Sequence, residues 1–156
     1  MAFKTNVMRI LDKAKIKYKT HNYSDTDALS GVEVADALGE NPEQVFKTLV
    51  TKGKSGDYFV FMIPVAEELD LKKAAKAVNE KSVEMIKQKD LLKTTGYIHG
   101  GCSPIGMKKQ FKTTVHFTAE NFETIIFSGG KIGWQVEMSI DSLQKIVPCE
   151  LKDIIV

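Results

Sequence analysis

The stretch VFKTLVTKGKSGDYFVFMIPV, residues 45–65, decides the fold class. Val45 to Thr51 and Tyr58 to Val65 are β-branched and aromatic runs, and the KGKSGD between them is rich in turn residues, so the segment reads as a β-hairpin. Pro64 marks an edge or the end of the second strand, because proline cannot donate to a ladder. Within the first strand Val45, Lys47 and Leu49 point to one face and Phe46, Thr48 and Val50 to the other. Both faces are largely apolar, which makes Lys47 conspicuous. Two readings of it are open: it lines a cavity with its ammonium aimed at an anionic or carbonyl group, or it stretches along the surface to reach water.

Upstream, Val7, Ile10, Leu11 and Ala14 share a helical face after Thr5 or Asn6 as cap, and Ile16 to Tyr23 alternates like a strand. Ser30 and Glu33 form a capping box for a short helix over 31–38, which Gly39 stops. Downstream, Leu71, Ala74, Ala75 and Val78 predict a helix, SVEMI a strand, and KQKDLLKTT a helix ending near Gly96. Strands are expected at Thr113–Phe117, Glu123–Phe127 and Ile132–Met138, and a last helix from Ile140 to Val147 before Pro148. The fold class is therefore α/β: one domain over 1–156, a mixed, partly barrel-like sheet of about six or seven strands surrounded by four or five helices. A length of 156 residues with 43% hydrophobic and 27% charged residues suits such a domain and excludes wholesale disorder.

Several functions are disfavoured by composition. No apolar run approaches the roughly 20 residues of a membrane span, and the charge-dotted N-terminus lacks a secretory pattern, so a cytoplasmic protein without membrane partner is expected. Cys102, Cys149 and the histidines His21, His99 and His116 show no metal-ligand spacing, so no metal is expected and the thiols are read as free. Net charge is only +2, and Arg9 is the sole arginine among 22 basic residues, which leaves few bidentate clamps for bases or phosphates. The lysine clusters supply point charges to a polyanion or form solvated helix faces.

Two glycine-rich segments could carry chemistry. GYIHGGCSPIG, residues 96–106, can expose backbone amides to a ligand or serve as a tight structural loop. It fits neither a dinucleotide fingerprint, nor a P-loop, nor the GxSxG elbow, since Ile105 stands where the last glycine is required. Ser128-Gly129-Gly130-Lys131 is a second turn of the same ambiguity. Tyr23 and Trp134 are candidate pocket residues, and Cys102 is better read as packing than as a nucleophile.

In order, FKTLV (46–50), PVAEELDLKKAAKAV (64–78), KSVEM (81–85), TGYIHGGCSPIGMKK (95–109) and ETIIFSGGKIG (123–133) resemble the YbaK/EbsC family of bacterial aminoacyl-tRNA deacylases, related to the editing domain of bacterial prolyl-tRNA synthetases. The resemblance implies removal of cysteine from mischarged tRNA(Pro), and of cysteine from tRNA(Cys) as a further substrate. It implies tRNA and prolyl-tRNA synthetase as partners, and no cofactor. Lys47 and Gly100 match catalytic positions: the lysine holds the aminoacyl-adenosine end and the glycine backbone positions the aminoacyl group. Tyr23, Ser30, Thr48, Gly101, Ser103, Pro104, Ser128 and Gly129 match substrate-binding positions. Cysteine-specific members use the substrate's own thiol against the ester, which agrees with the missing triad. The aromatic of an FG dipeptide is replaced here by Ser30 before Gly31, which bears on selectivity. Two other readings are a deacylase for Ala-tRNA(Pro) or another small aminoacyl-tRNA by water attack, and a noncatalytic RNA-binding module.

Overall fold

In the computed structural model, which describes residues 3–156, the chain runs through α1 (Asn6–Lys13), β1 (Lys19–Asn22), α2 (Gly31–Leu38), β2 (Phe46–Gly53), β3 (Tyr58–Pro64), α3 (Leu71–Ala77), β4 (Val83–Met85), α4 (Gln88–Thr95), β5 (Lys112–His116), a 3-10 turn (Phe117–Asn121), β6 (Ile125–Ser128), β7 (Trp134–Met138), α5 (Ile140–Ile146) and β8 (Cys149–Lys152). The hairpin forms as its sequence predicts, with Phe46 opposite Pro64 and Lys52 opposite Tyr58. Pro64 closes β3 at its end, where no ladder donor is lost: the next residue, Val65, donates to Val45 C=O at 2.8 Å.

The strands divide into two sheets where the sequence suggests one. Five are ordered β4-β2-β3-β5-β8 and three are ordered β1-β7-β6. The larger sheet is mixed, because β5 runs parallel to both β3 and β8 and the other pairs are antiparallel. A parallel bridge between Val45 and Ile126, with Ile126 N–H on Gln44 C=O at 3.0 Å, joins the two sheets at one corner. The eighth strand is an addition to the expected six or seven. CELK carries little strand propensity, and it becomes β8 only by pairing with β5.

β3 is apolar throughout because both its faces are covered. Phe59, Phe61 and Ile63 pack on Ala74 and Val78 of α3 and its flank, while Met62 joins Val7, Leu11, Phe127 and Val136 in the core under α1. The same core fixes α1, whose cap Thr5 accepts from Met8 N–H at 3.2 Å and donates to Gly129 C=O at 2.6 Å. The helix start is thereby tied to the 128–131 turn.

His116 at the end of β5 is 2% exposed and takes the Ile154 N–H on Nδ1 at 3.3 Å. Burial lowers its pKa from 6.5, against the opposing pull of Asp153. The unfolded chain then binds more protons than the folded one just below about pH 6.5, so His116 makes stability fall as pH drops through that window. Urea unfolding at pH 7.5 and 5.5 is expected to show a larger loss for the native protein than for His116→Gln. Equal losses would remove His116 as the cause.

Candidate functional site

β4 pairs only with Thr51–Gly53 of β2, so the preceding residues of β2 keep one edge without a partner strand. Val50 C=O turns to that side to meet Ile86 N–H at 3.2 Å, and Thr48, two residues earlier, directs its backbone groups the same way. Against this free edge lies a cavity of about 330 Å³. Tyr23, Ser30, Lys47, Thr48, Gly100 and Ser128 all line it, from five separate stretches of the chain.

Lys47 is among the residues that line the cavity. Its ammonium is half-buried and makes no ion pair among the described residues. Desolvation lowers its pKa, while Glu68 and Glu67 hold it up. The cation is therefore poorly hydrated and available to a ligand. Thr48 Oγ1, on the opposite face of β2 from Lys47, is buried with no hydrogen-bond partner.

The loop after α4 brings Gly100 to the cavity through a turn closed by Gly101 N–H to Ile98 C=O at 3.0 Å. Gly100 is the third residue of that turn with φ +89°, a conformation that favours glycine. Its own N–H finds no acceptor among the described residues. Gly101, Ser103, Pro104 and Gly129 do not line the cavity. Gly101 spends its N–H inside the turn, and a Cβ there would sit 3.2 Å from Ile132 N, so its bareness lets the two loops touch. Ser103 is fully buried and its Oγ accepts from Ile105 N–H at 3.3 Å. Gly129 donates to Trp134 C=O at 2.9 Å and accepts from Thr5. These positions shape the walls.

Ser30 lines the cavity and also caps α2, accepting from Glu33 N–H at 3.2 Å while Glu33 Oε1 accepts from Ser30 N–H at 3.0 Å. With no ring at position 30, the rim on that side is formed by Leu29 and Val32, both exposed. Cys102 reaches the cavity, but burial pushes its thiol up to about 12, so it stays protonated and is a poor nucleophile. Among the described residues no group of three or more His, Cys, Asp or Glu could hold a metal ion, and no helix is long and apolar enough to cross a membrane. The sequence reading missed His99 and Gln135, which also line the cavity. His99 lay in the quoted loop. Gln135, in a strand between Trp134 and Val136, carried no signal of its own.

Residues 26–146 match the family model of the aminoacyl-tRNA editing domain. The chain belongs to this family. The editing-domain relatives include a protein of Enterococcus faecalis named "Putative Cys-tRNA(Pro)/Cys-tRNA(Cys) deacylase EbsC", 45% identical over 97% of this chain and 93% of that protein. A proline–tRNA ligase of Fervidobacterium nodosum is 27% identical over 91% of this chain, which spans 26% of the ligase. The editing-domain fold recurs in a solved structure described as a "putative trans-editing enzyme for prolyl tRNA synthetase", with a TM-score of 0.83 at 19% identity, covering 99% of each chain.

Proposed function

We propose that the whole chain is one trans-acting deacylase domain that removes cysteine from mischarged tRNA(Pro), with Cys-tRNA(Cys) as a second substrate. The observation that carries the reading is the cavity lined together by Lys47, Gly100 and Ser128 in a chain 45% identical to EbsC. At about 330 Å³ it lies at the lower end of ligand pockets, about 300–1,000 Å³.

In this reading the substrate thiol attacks its own ester carbonyl. The C–S bond forms, the ester C–O bond breaks, and the thiol proton passes to the departing ribose oxygen of the tRNA. The cyclic thioester left behind is opened by water to cysteine. The protein supplies no nucleophile. It holds the thiol against the carbonyl and stabilises the oxyanion with the Gly100 N–H and the Lys47 ammonium. Tyr23, Ser30, Thr48 and Ser128 bound the aminoacyl group, while Gly101, Ser103, Pro104 and Gly129 keep the walls in place.

Trans editing answers a physical limit: a synthetase pocket separates similar small side chains by only about 1–3 kcal/mol, so a second sieve is required. Prolyl-tRNA synthetase is the partner that delivers the charged tRNA, in the cytoplasm. The test is release of labelled amino acid from Cys-tRNA(Pro) and Ala-tRNA(Pro) side by side. Faster loss of cysteine is expected. Faster loss of alanine would keep a deacylase but discard thiol assistance, and no loss from either would leave an RNA-binding module.

A further inference from the structure

One wall of the cavity is the polar face of the three-stranded sheet. Gln135 stands opposite His21 on one side and Ser128 on the other, so the three side chains share a face, with Glu137 two residues along. The opposite face sends Phe127, Val136 and Met138 into the core. Just past the left-handed Gly39 that ends α2, Glu40 ties its N–H to Ala35 C=O at 2.8 Å and places its carboxyl group beside the Gln135 amide.

Gln135 is 5% exposed and lines the cavity. Yet Gln135 Oε1 and both Glu40 carboxyl oxygens are buried without a donor. The nearby donors are committed elsewhere: His21 Nε2 pairs with Glu137 Oε1 at 2.7 Å, and the Thr124 hydroxyl donates to Glu137 Oε2. Two arrangements supply the missing donor. A proton on Glu40 donates to Gln135 Oε1 and leaves Nε2 turned to the cavity. With Glu40 ionised, a half-turn of the amide, which exchanges oxygen and nitrogen without changing shape, lets Nε2 donate to the carboxylate and presents Oε1 to the cavity.

We propose that Glu40 is a positioning residue of this cavity, its carboxyl group setting through a hydrogen bond which end of the Gln135 amide faces the ligand. The consequence for catalysis rests on the deacylase reading. An aminoacyl ester carries an α-ammonium, a donor that Oε1 accepts and Nε2 cannot. The Glu40 side carries a charge complementary to that ammonium. The groups facing Glu40 are Gln135 and Glu137 of β7 and His21 of β1. Burial raises its pKa above 4.5, Gln135 and His21 hold it down, and Glu137 adds to the rise. The acceptor-out form therefore gives way to the donor-out form as pH falls.

The experiment follows the Gln135 side-chain 15N signal of the ligand-free protein against pH, then measures KM and kcat for Cys-tRNA(Pro) over the same range. A step in the Gln135 signal is expected above pH 4.5, absent in Glu40→Gln, whose amide has no proton to lose in that range. A step caused by His21 would persist in that variant. KM of the native enzyme is expected to fall roughly tenfold as pH rises through the step, and Glu40→Gln to lose that pH dependence of KM with kcat little changed. A Gln135 signal that ignores pH, or the same step in Glu40→Gln, overturns the proposal, as does a KM profile identical in both proteins. If Glu40→Gln unfolds, the native titration decides when the Glu40 carboxyl 13C signal is followed beside Gln135: a Gln135 step that does not coincide with the Glu40 titration overturns the proposal. A step in a protein that cleaves no aminoacyl-tRNA would sink the deacylase reading and leave the pair standing.

Discussion

Lys47→Ala is expected to lower kcat/KM for Cys-tRNA(Pro) by about 100-fold or more, the usual cost of deleting an oxyanion-stabilising group. The lysine sits in the first half of β2, where the strand edge is open to the cavity, and its ammonium is half-buried with no ion pair among the described residues. Desolvation has already removed part of its water, so a developing negative charge meets a strong field and little solvent has to reorganise. The fold does not depend on that charge, since taking a poorly hydrated cation from a wall of Phe46, Leu49 and Val65 removes a desolvation cost. Lys47→Met, which keeps the stem, is therefore expected to unfold at or above the native temperature and to be as inactive as Lys47→Ala. Thermal unfolding read beside release of labelled cysteine separates the two effects. Activity within threefold of native in both variants would remove Lys47 from the mechanism.

Gly130→Ala is expected to cost on the order of 3 kcal/mol of stability, from a left-handed strain of about 1–2 and an overlap of about 1–3. Gly130 has φ +92°, and a Cβ there would lie 2.7 Å from Val7 Cγ2, in a helix residue with no exposed surface. Its N–H also donates to Ser128 Oγ at 3.1 Å, so displacing the turn moves a cavity wall. For a chain of this size the melting temperature should drop by roughly 6–12 °C. Gly39→Ala isolates the strain, because Gly39 has φ +68° with nothing within 4 Å of its would-be Cβ. Val7→Ala combined with Gly130→Ala should recover part of the loss by making room. Equal melting points for Gly130→Ala and Gly39→Ala would dismiss the overlap.

Local physics was legible wherever a signal lies within a few residues. The capping box of Ser30 and Glu33, the stop at Gly39 and the 45–65 hairpin are settled by contacts between near neighbours, and they form as read. β8 was hidden because its strand character comes from β5, more than thirty residues earlier in the chain. Gly101 and Gly129 read as ligand-facing from sequence and line no cavity, since their amides are consumed by turns whose closure depends on neighbouring loops.

Residue type and order in this chain were enough to determine the α/β class, the helix caps, and the membership that the ordered motifs announced. Whether Lys47 meets a cavity or open water was a tertiary decision, made by the shortness of β4, which leaves the edge of β2 uncovered. So was the placing of the Glu40 carboxyl group near the Gln135 amide, ninety-odd residues further along the chain. Backbone preferences and caps act over one turn of helix or one hairpin, whereas burial and the supply of hydrogen-bond donors are properties of the space that only the packed sheets enclose.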